Sequence, residues 1–385
     1  MNKHDDITRL VDHYLTWSPA QIKAFRKTLL AWYDREGRDL PWRKNHDPYQ
    51  IMISEVMLQQ TQVQTVLPYY QHFMQVLPTV GDLAAISEEK LLTLWSGLGY
   101  YSRARHLRQA ARQLMQDYQG VWPKTPAELQ TLSGIGPYTA NAIASIAFNV
   151  PVPAVDGNAL RVFARLFKID LDITKPKTKR VFAALIQRLI DPKRPGDFNQ
   201  AIMDLGSSYL TAKNPDSKHS PVAAFDASAQ DGTTLDYPVR TRKAKPKAYA
   251  YFALAIHSPA GWLLQQRPAS GLLARMWTFP LIDRQTLSKQ TEKAQMKELQ
   301  QNFADQVQFA IHLQKPALKP VSHVFTHQRW QVRLLVAELE TTPDLALFPG
   351  RWVPAAEFDQ WALPTLQRKL WDRLQKGGTA TKYSQ

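Results

Sequence analysis

The sequence predicts a protein of more than one domain: an all-α domain first, a smaller α+β domain last, and a polar linker between them. Three observations predict it. A length of 385 residues accommodates two or three domains. Helix-start signals and glycine or proline breaks recur up to about residue 213, and the first strand-like runs come beyond residue 247. Residues 214–247 are rich in Ser, Asp, Ala, Pro and Lys and poor in large apolar side chains, the composition of a tether.

Composition narrows the partner. Lys plus Arg number 48 against 33 Asp plus Glu, a formal charge of +15. That excess suits a polyanion, nucleic acid first; an indifferent basic surface is the plain alternative. With 44% hydrophobic residues a sizeable core is available. The chain has no cysteine, which excludes disulfides and thiolate metal sites. It shows no signal peptide and no long apolar run, so a soluble cytoplasmic protein without membrane contact is expected.

Residues 1–17 are polar and mixed and read as an N-terminal arm. Ser18-Pro19 is an N-cap with proline at the first helical position, opening a helix to about Tyr33. Gly37-Arg38-Asp39-Leu40-Pro41-Trp42 breaks it, and Asp47-Pro48 opens a second helix, IMISEVMLQQ, in the same way. Glu55 lies in that helix among Ile51, Ile53, Val56, Met57 and Leu58. A carboxylate in so apolar a run invites a raised pKa, which a general acid needs near neutral pH; an exposed helix glutamate is the ordinary alternative. Gln59, Gln60, Thr61 and Gln62 make an amide-rich helix end that can bond base edges or simply water. Residues 66–118 read as two or three helices interrupted by Gly97-Leu98-Gly99-Tyr100-Tyr101. Tyrosines on a glycine loop beside Arg103, Arg105 and Arg108 can stack in DNA, or can pack as a buried pair in a helix corner.

Residues 132–158, LSGIGPYTANAIASIAFNVPVPAVDGN, organise the rest. The turn Gly134-Ile135-Gly136-Pro137 lets backbone approach closely, and the helix after it points amides outward, where a phosphate is welcome. An ordinary helix connection has the same pattern. Ala142, Ile143, Ile146 and Ala147 can share one helix face, Pro151 and Pro153 end the helix, and the acidic loop Val155-Asp156-Gly157-Asn158 follows. Helices continue through residues 159–213, where FNQAIMDLG packs Phe198, Ile202 and Leu205 and leaves Gln200 available. In the last domain AYAYFALAI, WLLQQR and QVRLLVAEL read as strands and 284–305 as a helix, with Phe325-Thr326-His327 in a turn before the last strand.

Taken together, LSGIGPYTA and VDGN resemble the helix-hairpin-helix and catalytic aspartate of the base-excision DNA glycosylases related to endonuclease III. LPWRKNHDPYQIMISEVMLQQTQV, LWSGLGYYSRARHL and FNQAIMDLG narrow the resemblance to the MutY-type adenine DNA glycosylases, strongly over about residues 18–210. GLLARMWTFP at 271–280 is similar to a loop of the Nudix-like domain that ends those proteins. The resemblance implies an all-α helix-hairpin-helix glycosylase domain over 18–213, a linker over 214–247, an α+β Nudix-like 8-oxoguanine recognition domain over 248–375 and a tail over 376–385.

By the same resemblance Glu55 and Asp156 are catalytic, supported by Tyr138 and Asn158. Arg38, Trp42, Arg43 and Gln200 line an adenine pocket. Gln60, Thr61, Leu98 and Tyr100 wedge into the base stack, Gly134 and Gly136 bind phosphate, and Phe325, Thr326 and His327 read 8-oxoguanine. The partner implied is duplex DNA holding adenine opposite 8-oxoguanine or guanine, met by a monomer. Three departures matter. The family's four iron–sulfur cysteines are replaced by Leu210, Ser217, Ser220 and Asp226, so no cluster, no metal and no other cofactor is expected, with Lys213 and Lys218 left to contact DNA at that corner. The family's Phe-Ser-His turn has Thr326 in the middle. Glycosylase/lyases carry a Schiff-base lysine where this chain has Tyr138, so a monofunctional enzyme that leaves an abasic site is expected. The last domain lacks the glutamate set of a Nudix hydrolase, which argues for recognition. The alternatives are a thymine mismatch glycosylase, a silent lesion-binding protein and a Nudix hydrolase.

Overall fold

The computed structural model describes residues 3–242, 244–345 and 348–377. The last eight residues of the expected 376–385 tail, and Lys243 of the expected linker, lie outside them. Two compact units form, and their division is not the one the sequence suggests. One is Met1–Ala85 with Arg105–Lys243; the other is Ile86–Ala104 with Ala244–Gln385.

Helices in chain order are α1 (Lys3–Tyr14), α2 (Pro19–Glu36), α3 (Pro48–Leu58), α4 (Val63–Val76), α5 (Val80–Ala85), α6 (Glu88–Leu94), α7 (Ser102–Asp117), α8 (Pro126–Leu129), α9 (Pro137–Phe148), α10 (Gly157–Leu166), α11 (Pro176–Leu189), α12 (Pro195–Ser207) and α13 (Ala227–Gln230). Their starts follow local chemistry. Ser18 and Gln21 close a reciprocal capping box on α2, and the Asp47 carboxylate accepts the Tyr49 amide at the start of α3. α9 stops on Asn149 at φ 55°, a left-handed cap, before either proline.

The core of the helical unit gathers Phe25 and Leu29 of α2, Phe163 of α10, Phe182 and Leu185 of α11 and Phe198 and Leu205 of α12. Residues 1–17, expected as an arm, instead supply α1, which buries Val11 and packs on α11, while Leu15 beyond it is buried too. The expected linker is likewise folded over much of its length. Val222 is buried, Phe225 lies 5.4 Å from the Trp17 ring and 5.5 Å from Phe25, and Arg165 of α10 donates to the carbonyls of Thr211, Thr234 and Tyr237. A few apolar side chains suffice here because complementary surfaces and a buried guanidinium await them.

In the second unit the strands are β1 (Lys247–Ser258), β2 (Gly261–Gln266), β3 (Trp277–Thr278), β4 (Leu281–Asp283), β5 (Val321–Val324), β6 (Gln328–Glu338) and β7 (Gly350–Val353). The sheet runs β3-β2-β1-β6-β5, with β4 on β1 and β7 on β2. β1 and β6 pair parallel from Lys247–Gln328 to His257–Glu338, and the other pairs are antiparallel. Helix α14 (Glu292–Val307) lays Leu299, Phe303 and Val307 against Phe252, Leu254 and Ile256 of β1. Helix α15 (Thr365–Lys376) buries Leu366, Leu370 and Leu374 and sets Trp371 edge-on to Trp262.

Candidate active site

A cleft of about 1440 Å³ in the helical unit gathers most of the catalytic, pocket and wedge residues expected from the sequence. Glu55, Tyr138, Asp156, Asn158, Arg38, Trp42, Arg43, Gln200, Gln60 and Thr61 all line it. Glu55 comes from α3, Tyr138 from the first turn of α9, Asp156 and Asn158 from the start of α10, and Gln200 from α12.

Glu55 is 6% exposed, and its Oε2 accepts the Tyr138 hydroxyl at 2.5 Å. Burial pushes its carboxyl up to about 7; the charge of Asp156 adds to the rise, while the Tyr138 bond and Arg43 oppose it. A carboxyl titrating there can give a proton and, once ionised, take one from water. Burial raises the Tyr138 phenol well above its ordinary value, so it remains a donor.

Asp156 is the N-cap of α10. Its Oδ1 accepts the Ala159 amide at 2.7 Å and its Oδ2 the Asn158 amide side chain at 2.7 Å. Burial wins here too and raises this carboxyl on balance, although those donors and Arg161 oppose the rise. Asn158 is held in turn: its Oδ1 accepts Arg161 Nη2 at 2.6 Å, and the same guanidinium reaches the carbonyls of Gly206 and Leu210. Glycine at 206 is required, because a Cβ there meets the Asn158 Cβ at 2.7 Å.

Arg38 and Arg43 line the cleft with their guanidiniums already engaged. Both grip Asp204 of α12: Arg38 Nε lies 2.7 Å from Oδ1, and Arg43 forms a bidentate pair at 2.7 and 2.9 Å. Burial works to raise the Asp204 carboxyl, but the two arginines outweigh it and hold it below the ordinary range. Sequence reasoning missed Asp204, although a carboxylate in the apolar helix FNQAIMDLG is the signal that singled out Glu55. It missed Asn199 as well, whose side chain bonds Ser145, the Val152 carbonyl and the Ala154 amide and so fixes the loop that delivers Asp156.

At the turn before α9, Gly134 has φ 75° and a Cβ there would meet His106 Cβ at 2.5 Å, whereas Gly136 caps α9 with open space around it. Gln60 and Tyr100 both hold left-handed φ, 58° and 48°, a strained conformation for residues with side chains and one that gathers at working sites. Tyr100, in the other unit, is 45% exposed; Leu98, expected to project beside it, is 6% exposed and packs inward because the turn aims it at the interior. Phe325, Thr326 and His327 sit at the β5–β6 hairpin, closed by Phe325 N–H donating to the Gln328 carbonyl at 2.7 Å. A ladder of rings braces the turn: Tyr251 on Trp330 at 4.3 Å, Trp330 on Phe325 at 4.8 Å, Phe325 on His323 at 4.6 Å. Burial pushes His323 down to about 4, so that ring is neutral.

The residues standing for the family's four cysteines do not fit an iron–sulfur cluster. Leu210, Ser217, Ser220 and Asp226 are buried and offer no thiolate. Asp226 caps α13, accepting from the amides of Ser228 and Ala229 and the Ser228 hydroxyl. In the sheet unit, Glu292 of α14 is ion-paired to Arg284, Lys315 and Arg333.

The chain matches the HhH-GPD superfamily of base excision DNA repair proteins over residues 53–188 and the NUDIX domain over 251–373. It is 36% identical over 417 residues to the adenine DNA glycosylase of Rattus norvegicus, covering 94% of this chain and 80% of that protein. It is 36% identical over 414 residues to that of Homo sapiens, covering 93% and 75%. Among solved structures a thermostable thymine-DNA glycosylase superposes with a TM-score of 0.51 at 25% identity, over 55% of this chain and 98% of that one. Glu55 and Asp156 thus face one cleft in a chain that belongs to the adenine DNA glycosylases, enzymes of base excision repair.

Proposed function

We propose that this enzyme removes adenine paired with 8-oxoguanine, or with guanine, and leaves an abasic site without cutting the strand. The observation that carries the reading is a pair of carboxyls in one cleft with unlike partners: Glu55, pushed by burial up to about 7 and bonded to one phenol, and Asp156, also raised by burial but accepting from the Ala159 amide and the Asn158 side chain, donors that favour its charged form. A duplex hides adenine, so the base is flipped into the cleft. Glu55 protonates the departing adenine as the N-glycosidic bond breaks. Asp156 stabilises the positive charge that develops on the sugar, by ion pairing or by transient bonding to the anomeric carbon. Ionised Glu55 then takes a proton from the water that adds to that carbon.

Tyr138 supports the monofunctional part of the reading. A phenol hydrogen-bonded to Glu55 supplies no amine for a Schiff base. The exposed Thr326 and His327 beside the braced Phe325 ring support 8-oxoguanine reading, with the Thr326 hydroxyl retained from the family's serine. The last domain lacks the glutamate set of a Nudix hydrolase, which favours recognition over nucleotide hydrolysis. No cluster is required, since side-chain bonds from Arg161, Arg165 and Asp226 hold the corner. The reading takes the protein as a monomer.

The test is a labelled duplex with one adenine opposite 8-oxoguanine, incubated with purified protein and chelator and analysed with and without hot alkali. Cleavage only after alkali is expected. Cleavage without alkali overturns the monofunctional reading, and tight binding with no abasic product overturns catalysis by this pair.

A further inference from the structure

The loop that carries Tyr100 is built into the sheet unit. Gly97, Gly99 and Tyr100 have φ of 104°, 71° and 48°, so three of four consecutive residues are left-handed. Glycine holds that region freely, but tyrosine does so only where its surroundings over-determine the backbone. Those surroundings come from the far C-terminal chain. The Ser96 hydroxyl donates to the Leu363 carbonyl and accepts Arg368 Nη2 at 3.3 Å. The Tyr101 phenol oxygen accepts the Thr365 amide at 3.3 Å and the Gly97 amide at 3.5 Å. That segment is itself fastened to the sheet: the Trp277 amide donates to the Ala362 carbonyl at 3.1 Å, and the Phe279 amide to Gln367 Oε1 at 2.8 Å.

Two further contacts complete the mounting. Arg103 donates to the Leu98 and Gly99 carbonyls at 3.3 and 3.1 Å, and its guanidinium lies 5.4 Å from the Trp95 ring and 5.6 Å from the Tyr100 ring. At the tip, the Thr326 and Tyr100 hydroxyls are 3.4 Å apart. The exposed tyrosine and the reading turn are therefore carried by one compact body.

We infer that Ser96 and Tyr101 are positioning residues for Tyr100: by fastening the glycine loop to residues 363–368 they present the ring in the one orientation that enters a base stack. The inference rests on the reading of Tyr100 as the wedge. The C-terminal chain thus acts twice, through the Phe325-Thr326-His327 turn and through the segment that mounts the wedge.

The experiment uses the full chain and a duplex with 2-aminopurine next to 8-oxoguanine, followed by stopped-flow fluorescence on binding, with single-turnover adenine release on the same duplex. Tyr101→Phe keeps the ring and removes the oxygen; Ser96→Ala removes the second tether. The pair is expected to slow unstacking about tenfold, the scale of one or two lost hydrogen bonds. In a Tyr100→Ala background the same pair should cause no further slowing, because it acts through Tyr100. Unchanged unstacking in the double variant, where Tyr100→Ala does slow it, overturns the inference and leaves the wedge reading intact. Slowing that persists fully in the Tyr100→Ala background also overturns it, as that marks a general structural loss. Unchanged unstacking in Tyr100→Ala removes the wedge reading and the inference with it.

Discussion

The cleft of the helical unit and the turn of the sheet unit are built on opposite principles. In the cleft, carboxyls are withdrawn from water, and the differences between them come from burial, donors and neighbouring charge. At the turn, Thr326 and His327 stand in solvent and only the ring behind them is braced. A buried carboxyl alters chemistry, because its proton affinity depends on every group around it. An exposed tip alters choice, because it acts only when a partner arrives and its energy is the difference between two bound bases. Substitutions in the first region should therefore change the rate of base release, and substitutions in the second the ratio of rates between substrates.

The largest effect expected is from Glu55→Gln, which removes the proton donor and keeps the shape. Single-turnover adenine release should fall by roughly 10² to 10⁴, the usual worth of a general acid, while duplex binding by anisotropy stays close to wild type. Wild-type-like release would remove Glu55 from the mechanism. The pH dependence adds a second check. Release that needs protonated Glu55 should decline as pH rises through about 7. Stability should follow the same group. A carboxyl whose folded pKa is raised contributes stability that is complete below its unfolded value and is lost as pH rises through the folded one. Glu55→Gln should thus melt higher than wild type at pH 8, by on the order of 3 kcal/mol at most, with the gap closing toward pH 5.

Next comes Asp204→Asn. It leaves the buried Arg43, and Arg38 beside it, without their carboxylate. Removing one partner of a buried pair typically costs about 3–5 kcal/mol, and Arg38 is partly open to solvent, so roughly 3 kcal/mol in urea unfolding is expected. A cost below about 1 kcal/mol would show that the pair behaves as a surface contact.

What could be read from the sequence divides along the same line. Asp156 read only as part of an acidic loop and took its role from the resemblance, whereas Glu55 announced itself as a carboxylate in an apolar helix, a local signal. Asp204 carried the same signal but its meaning did not, since its partners lie 161 and 166 residues away. The N-terminal arm and the linker were misjudged for a related reason. Val11, Val222 and Phe225 are too few to suggest a core, and become one only against Trp17, Phe25 and α11. The longer strands β1, β2 and β6 were legible as apolar and aromatic runs, the short β3, β4, β5 and β7 were not, and neither was the attachment of residues 86–104 to that unit. It depends on Ser96 meeting Leu363 across 267 positions, which no local pattern encodes.

The turn offers the smaller effects. Phe325→Ala with His327→Ala should cut the preference for 8-oxoguanine over guanine about tenfold, the scale of one lost stacking and polar contact, with release from the guanine pair nearly unchanged. An unchanged ratio would place the reading elsewhere. Thr326→Ser should do least and say most about this chain's own departure. Both residues carry the hydroxyl; threonine adds a methyl and a stiffer χ1. The hydroxyl of Thr326 is 3.4 Å from Tyr100 Oη, so serine can keep that contact while rotating more freely. The ratio of single-turnover rates on the two pairs should move by no more than about threefold, within the several tenths of a kcal/mol that one ordered rotamer is worth. A larger change would mean that the methyl itself packs on the lesion.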